Sequence, residues 1–519
     1  MKGKYSLVHT FTNIGHNVIP IRVEVYLRRG IPGYQVIGLP TRNIRESKDR
    51  IRAGIESSGF EFPFQNITIN LSPTNTKKDG AHFDLTIAVG ILIASEQLDF
   101  KMFNDSIFIG ELGLNGDIQP TQNLAKLLAG FQKKETTLFL PKSNLTEAEM
   151  YSNNRIYGIE SLGQLKNLND VMTILPSEKN SHRWEIANNF FSETNLEIKT
   201  KNDFIHLYSG QILGFESLVF GLMGNHHILF TGSPGSGKTM LAEISNQIQS
   251  LPNQEEWKEI YSIYQNHEGI DPFQPHRPFR MPHHSITANG LLGGGINLQY
   301  GELSLAHRGI LVLDEFGEIK SNLIQNLREP MEKGRISIHR NSQWAEFPAL
   351  FLLIAITNLC PCGNFSSGEL MCICRKEQIR SYLSKISGPI LERLDIIVEI
   401  HKNQLTNINT KTFNLTEIKS KIQTVRQLQW ERYKGTNIMN NSEIPSNLIF
   451  HYLEWNETDC KNWDNNPDYN FYSFREKEKI LKLARTIADS QFKSKVEQDD
   501  VSIALGFREG SKTIRNISA

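Results

Sequence analysis

The sequence predicts an α/β protein: a parallel sheet whose strands end in a phosphate-binding loop, with further alternating strand and helix signals ahead of it. Three observations carry the sheet. Ile228–Phe230 is a short apolar run leading into Gly232-x-x-x-x-Gly237-Lys238-Thr239 and then the helix-forming Met240-Leu-Ala-Glu-Ile. Further on, Ile310-Leu-Val-Leu ends in the acid pair Asp314-Glu315. A third apolar run, Leu350-Phe-Leu-Leu-Ile-Ala-Ile, ends in Thr357-Asn358. Continuous apolar runs of this length fit strands buried on both faces.

The first motif stands in the strand–loop–helix context that a phosphate-binding loop requires. Gly232, Gly235 and Gly237 let the backbone curl, so that successive N–H groups and the following helix N-terminus face an anion. Ser233, Pro234, Ser236 and Met240 complete the expected nucleotide surround. Lys238 is expected to reach the β- and γ-phosphates, and Thr239 to bind Mg²⁺ through its hydroxyl. The alternative is a chance glycine-rich turn. Asp314-Glu315 fits a Walker B element: Asp314 would orient Mg²⁺ and Glu315 would polarise the attacking water as general base. Solvated loop charge is the bland alternative. Asn358 stands where a side-chain amide could hold that water near the γ-phosphate, although an Asn after a strand is often a turn residue. ATP and Mg²⁺ are the cofactors this pattern implies.

Composition sets outer limits. A chain of 519 residues is too long for one core and suggests two to four domains. The net charge of zero gives no bulk basic field, so any nucleic-acid contact must come from local patches or assembly. The N-terminus, Met-Lys-Gly-Lys-Tyr-Ser-Leu-Val-His, lacks the apolar run of a signal peptide. The apolar stretch Ile87–Ala94 falls far short of the ~18 residues that span a bilayer. Five cysteines, four of them in tight pairs, suggest a metal site in a reducing compartment. The expectation is a cytoplasmic protein with no membrane partner.

Residues 1–175 alternate strand and helix signals. Val18–Tyr26 and Asn66–Leu71 have period two, and a helix with Ile44, Ile51 and Ile55 on one face follows Pro40-Thr41. Its other face carries Arg42, Arg45, Lys48, Arg50 and Arg52, either a solvated face or a nucleic-acid contact. Gly38-Leu-Pro-Thr, Arg45-Glu-Ser, Ser58-Gly-Phe-Glu-Phe-Pro63, Ile69-Asn-Leu-Ser-Pro73 and Gly80-Ala-His-Phe-Asp-Leu85 resemble the amino-terminal domain of the magnesium-chelatase-like ComM/YifB proteins. That domain is similar to the proteolytic domain of Lon, which uses a serine activated by a lysine. Aligning Lon's serine loop on Lys78-Asp79-Gly80 puts His82 at the serine position. Aligning its lysine loop on Gly116–Pro120 puts Ala125 at the lysine position, with Lys126 one residue and ~100° away. The resemblance therefore implies an inactive Lon-protease-like domain over 1–175. Residues 176–200 are polar and aperiodic and read as a linker.

The resemblance continues through an AAA+ ATPase core at 201–404 and a helical lid at 405–519. It implies that Gln211, in a Gly-Gln pair before the phosphate loop, lies near the adenine. Ser387-Gly-Pro-Ile-Leu-Glu-Arg393 resembles the arginine-finger segment, where a guanidinium fork would act on the neighbouring subunit's ATP. An Arg393–Asp395 structural pair is the alternative. Tyr472-Ser-Phe-Arg475 opens a lid helix, with Arg475 matching sensor 2 and Arg485 more plausible as a structural charge. Arg277–Ser285 with Gly290–Gly295 corresponds to a helix-2 insertion that projects toward a ring pore. There Arg280 could meet phosphates, while His283 and His284 suit structural hydrogen bonds better than metal. Gly334–Arg340 and Trp344–Phe347 read as a hairpin, with Arg335, His339 and Arg340 forming a nucleic-acid track or a solvated surface. The family implies a homo-oligomeric, hexameric ring working on DNA as a helicase or branch-migration motor in recombination during natural transformation. A chelatase-type or protein-remodelling ATPase acting on a protein partner is the alternative.

Cys360-Pro-Cys362-Gly and Cys372-Ile-Cys374 are two Cys-x-Cys pairs across a short loop. Four thiolates so placed suit tetrahedral structural Zn²⁺. Free thiols and disulfides are the alternatives. Cys460 stands alone in a stretch rich in Trp, Asn and Asp, read as an exposed loop of the lid.

Overall fold

The computed structural model describes residues 4–175 and 203–518, except 15–16, 75, 77, 79, 130, 132–135, 152–153, 266–274, 296–297, 341–342, 367–370, 387, 403–409, 465, 467–468 and 470. The expected linker at 176–200 lies outside the described residues. The chain divides into two compact units. One comprises Met1–Asn189 with Tyr261–Gln274 and His339–Glu346; the other comprises Phe190–Ile260, Pro275–Ile338 and Phe347–Ala519.

The first unit is an eight-stranded mixed sheet in the order Met172–Ile174, Ile156–Ile159, Thr137–Pro141, Ser106–Phe108, Lys4–Ile14, Asn17–Arg28, Asn66–Ser72, Gly33–Ile37. The two period-two segments are antiparallel neighbours inside the sheet, Val23 facing Leu71 and Val25 facing Ile69. Their inward residues Ile21, Val23, Val25, Ile67 and Ile69 are buried against the helix Phe83–Ala94. Every residue of that helix is buried, as an apolar run with no polar face requires. A Cβ on its Gly90 would lie 2.7 Å from Val25 Cγ2, so glycine sets how closely helix and sheet approach. The helix Arg42–Ser57 buries Ile44, Ile51 and Ile55 as expected. Its bases are largely paired: Arg42 with Glu46 at 2.5 Å, Arg52 with Glu56 at 3.0 Å, and Arg50 with the buried Asp84 at 2.9 Å. Arg42 and Arg52 pair along the exposed face of their own helix, whereas Arg50 is taken up by a buried carboxylate.

The second unit holds a five-stranded sheet in the order Phe279–Arg280, Ile310–Leu313, Leu352–Ile356, Ile228–Thr231, Ile396–Glu399. Every neighbouring pair is parallel. The three apolar runs singled out in the sequence are its three central strands, buried on both faces. The C-terminal helices Leu415–Tyr433, Phe474–Ser490 and Gln498–Gly506 share one core with this sheet: Val425, Ile480 and Ile487 pack with Ile228, Ile396 and Val398. Ser473 and Glu476 cap the helix Phe474–Ser490 reciprocally, which explains why it starts there. The expected exposed loop around Cys460 is instead a helix, Glu457–Asp464. Trp463 is buried with its ring 4.1 Å from Tyr469, and Trp455 Nε1 donates to Val496 O at 2.9 Å. The aromatic burial overrides the polar composition of the stretch.

Candidate active site

The strand Ile228–Thr231 delivers the chain into the glycine-rich loop expected to hold phosphate, and the helix Lys238–Ile248 leaves it. Gly232, Gly235 and Gly237 have φ of 140°, 76° and 95°, a region that disfavours side chains. Space is equally restrictive, since a Cβ on Gly232 would lie 2.2 Å from Ile400 O. Lys238 Nζ donates to Gly232 O at 2.9 Å, Ser233 O at 2.7 Å and Asn358 Oδ1 at 3.3 Å. Burial lowers the Lys238 pKa to about 8, against the opposing pull of Asp314. Thr239 Oγ1 donates to Asp314 Oδ2 at 2.9 Å, and the Glu315 N–H to Asp314 Oδ1 at 2.7 Å. Three motifs far apart in the chain thus meet: Lys238 with Asn358, Thr239 with Asp314. Gln211 Nε2 donates to Ser236 O at 3.1 Å, and a Cβ on Gly237 would lie 2.4 Å from it. Gln211 therefore braces the loop. Met240 lies one turn into the helix, partly exposed.

These groups fit a phosphate chain with Mg²⁺. The glycine backbone holds its curl because a Cβ at Gly232 would strike Ile400 O and one at Gly237 would strike Gln211 Nε2. Lys238 and the helix N-terminus would hold the phosphates, and Thr239 with Asp314 would hold the metal. Mg²⁺ bound there would supply charge neutralisation between β- and γ-phosphate. Glu315 occupies a left-handed conformation, φ 50°, which turns its side chain out from the strand end. Its Oε2 lies 2.6 Å from His284 Nδ1. The sequence did not anticipate this partner.

Arg393 and Arg475 gather elsewhere, at one carboxylate. Arg393 Nη2 pairs with Glu332 Oε1, and Arg475 Nη1 lies 3.4 Å from the same oxygen. The alternative Arg393–Asp395 pair is not formed; Asp395 is taken by Lys479 at 2.9 Å and by the His227 N–H at 2.9 Å. Arg485 is structural: it is buried and bonds Asp489 at 2.8 Å.

Comparison with known proteins gives this arrangement its family. The family model for magnesium chelatase, subunit ChlI, matches residues 205–408. Models for subunit ChlI of Mg-chelatase and for the ChlI C-terminal region match 23–144 and 414–508. The chain is 32% identical over 529 residues to competence protein ComM of Haemophilus influenzae, covering 99% of each chain. It is 32% identical to the uncharacterized protein YifB of Salmonella typhimurium, covering 97% of each. The chain belongs to the ComM/YifB family of magnesium-chelatase-like AAA+ ATPases.

Within this ComM/YifB-family chain, the segment ahead of the strand Ile310–Leu313 is more internally paired than its sequence implied. Arg280 forks onto Glu302 with two contacts of 2.7 Å, so its guanidinium is charge-compensated. Arg277 is buried and forks onto Glu256, at 2.5 and 3.1 Å, and also donates to Ser250 O and Arg308 O. The expected hairpin is present as Arg335–Arg340 paired with Gln343–Pro348. Phe347 is buried edge-on to Tyr300 at 5.3 Å. The side chains of His339, Arg340 and Trp344 lie outside the described residues.

In the first unit, His82 immediately precedes the helix Phe83–Ala94, with Nε2 2.9 Å from Phe11 O. Ala125 is buried in the helix Leu124–Ala129, its N–H bonded to Glu147 at 2.9 Å. Neighbouring Lys126 is desolvated, its pKa lowered to about 8. Lys78 is fully buried, and its ammonium donates to Gly38 O at 2.9 Å and to Pro73 O. No helix among the described residues is long and apolar enough to cross a membrane. In the second unit the four paired cysteines converge, their sulfurs all within 4.8 Å of one another.

Proposed function

We propose that the chain is a ring-forming, hexameric, Mg²⁺-dependent motor that moves on DNA as a helicase or branch-migration factor in recombination or natural transformation. The observation carrying this reading is the assembled Lys238–Asn358 and Thr239–Asp314 pairs in a chain that matches a competence protein over 99% of its length. In this reading Lys238, Asp314, Glu315 and Asn358 act on the subunit's own ATP. Arg393 is offered to a neighbouring subunit as the arginine finger and Arg475 serves as sensor 2, the two meeting at Glu332. Residues 201–404 form the core and 405–519 the lid. Residues 1–175 serve as a scaffold lacking peptidase chemistry, in line with His82 and Ala125 at the dyad positions. We also assign structural Zn²⁺ to Cys360, Cys362, Cys372 and Cys374.

Steady-state ATP hydrolysis by the full chain, with and without single-stranded and forked DNA, tests the proposal. Stimulation of roughly tenfold is expected; hydrolysis indifferent to both DNAs sinks it. The matching magnesium-chelatase family models favour a second reading, remodelling of a protein partner. Partner-dependent, DNA-independent hydrolysis supports that instead.

His284 has a positioning role in this reading. Its imidazole orients the Glu315 carboxylate, while ATP is held by Lys238 and the loop. His284→Ala is expected to lower kcat about tenfold with KM within about twofold. An unchanged kcat removes His284 from the mechanism.

A further inference from the structure

We propose that the four-cysteine centre is the rigid back wall of the nucleotide site, so that its metal controls how tightly ATP binds. This rests on the Zn²⁺ assignment above and adds a coupling to it. The metal geometry comes first. Sγ–Sγ separations are 3.4 Å for Cys360–Cys362, 3.6 Å for Cys362–Cys372 and 3.7 Å for Cys360–Cys372. A tetrahedron of thiolates with Zn–S about 2.3 Å has edges of about 3.8 Å. A disulfide would require about 2.05 Å. These three edges, with all four sulfurs within 4.8 Å of one another, suit a tetrathiolate cage and are too long for a disulfide among Cys360, Cys362 and Cys372.

The position of the cage supplies the coupling. Cys360 is buried and stands two residues beyond Asn358, whose amide oxygen receives the Lys238 ammonium. Between the first two cysteines and the phosphate loop lies Gly363, at φ 80°, its N–H bonded to Cys360 O at 3.0 Å. A Cβ on Gly363 would stand 2.5 Å from Pro234 Cγ and 3.6 Å from Asn358 Nδ2. The cysteine turn thus touches the apex of the phosphate loop and Asn358 at one point. Local hydrogen bonds alone hold such a short, irregular turn weakly. A metal that cross-links it to Cys372 and Cys374 removes the turn's freedom and fixes the surface against which Pro234 and Asn358 rest. Nucleotide binding then no longer has to order that wall.

The test uses full-length protein in three forms: as purified, stripped with a zinc chelator, and reloaded with Zn²⁺ or Co²⁺. Metal content is measured by elemental analysis, and the affinity for a fluorescent ATP analogue by titration. One Zn²⁺ per chain is expected, and Co²⁺ should give the absorption of a tetrahedral tetrathiolate. Stripping should weaken nucleotide binding at least tenfold, and Zn²⁺ should restore it. Cys374→Ser should behave like the stripped protein. Gly363→Val should keep its metal yet bind nucleotide at least tenfold more weakly, which separates wall geometry from loss of fold. Metal present but nucleotide affinity unchanged on stripping and in Gly363→Val overturns the coupling and leaves the Zn²⁺ assignment standing. No metal, and no Co²⁺ spectrum, overturns both.

Discussion

Lys238→Ala is expected to lower ATP hydrolysis by about 10²–10³-fold or more, the scale on which removal of a preorganised charge stabiliser acts. The structure gives a reason beyond charge loss. The ammonium ties together Gly232 O, Ser233 O and Asn358 Oδ1, so alanine also releases the loop from the neighbouring strand end. Nucleotide affinity should therefore fall with kcat. Glu315→Gln is the informative contrast. Glu315 touches His284 and lies beside Asp314, but it takes no part in the Lys238 network. The amide should retain ATP binding while hydrolysis falls by a comparable factor. Measuring nucleotide affinity and single-turnover hydrolysis for both variants decides the matter. If Glu315→Gln hydrolyses at the wild-type rate, Glu315 is not the general base.

The second large effect concerns stability. Glu256 is buried and accepts both arms of Arg277, and Arg426 lies 3.8 Å away. Burial by itself would raise its carboxyl pKa; the Arg277, Arg426 and Arg308 charges outweigh burial and hold it down to about 2. A carboxylate with a depressed native pKa stabilises the fold above its unfolded pKa, near 4.5, and loses that contribution as pH falls toward 2. The linkage amounts to about 3 kcal/mol. Glu256→Gln leaves buried guanidinium charge without its counter-charge and should cost about 3–5 kcal/mol at neutral pH. The melting temperature of the second unit should drop by roughly 5–10 °C. Calorimetry against pH checks the sign, because the gap between wild type and Glu256→Gln must narrow as pH falls from 5 to 2. A gap constant over that range would show that Glu256 does not titrate as described.

This pair also shows where sequence reading stops. Arg277 precedes Pro-Phe-Arg280 and a glycine-rich run, a local pattern that points to an exposed insertion. Its partner lies 21 residues earlier, on a helix whose register no local pattern reveals. Arg280 has the same history with Glu302, 22 residues away. The stretch after Trp455 has more polar residues than aromatics, a composition that suggests an exposed loop, yet it is a helix. Burial is nonetheless decided by Trp463 and Tyr469, whose area dominates.

What the sequence by itself determined is the chemistry that nine adjacent residues can encode. Gly232–Met240 takes the conformation expected of a phosphate loop because glycine conformations, a strand before and a helix after are all local properties. Asp314-Glu315 and Asn358 were legible for a related reason: each closes a wholly apolar run, and such runs are strands whose tips lie on one sheet edge. Only the tertiary structure decided which tips meet, pairing Thr239 with Asp314 across 75 residues and Lys238 with Asn358 across 120. It alone decided that Glu315 rests on His284, that Arg393 and Arg475 share Glu332, and that Gly363 abuts Pro234. Those contacts depend on strand order and loop path, and one residue's character carries no record of the partner that packing will bring to it.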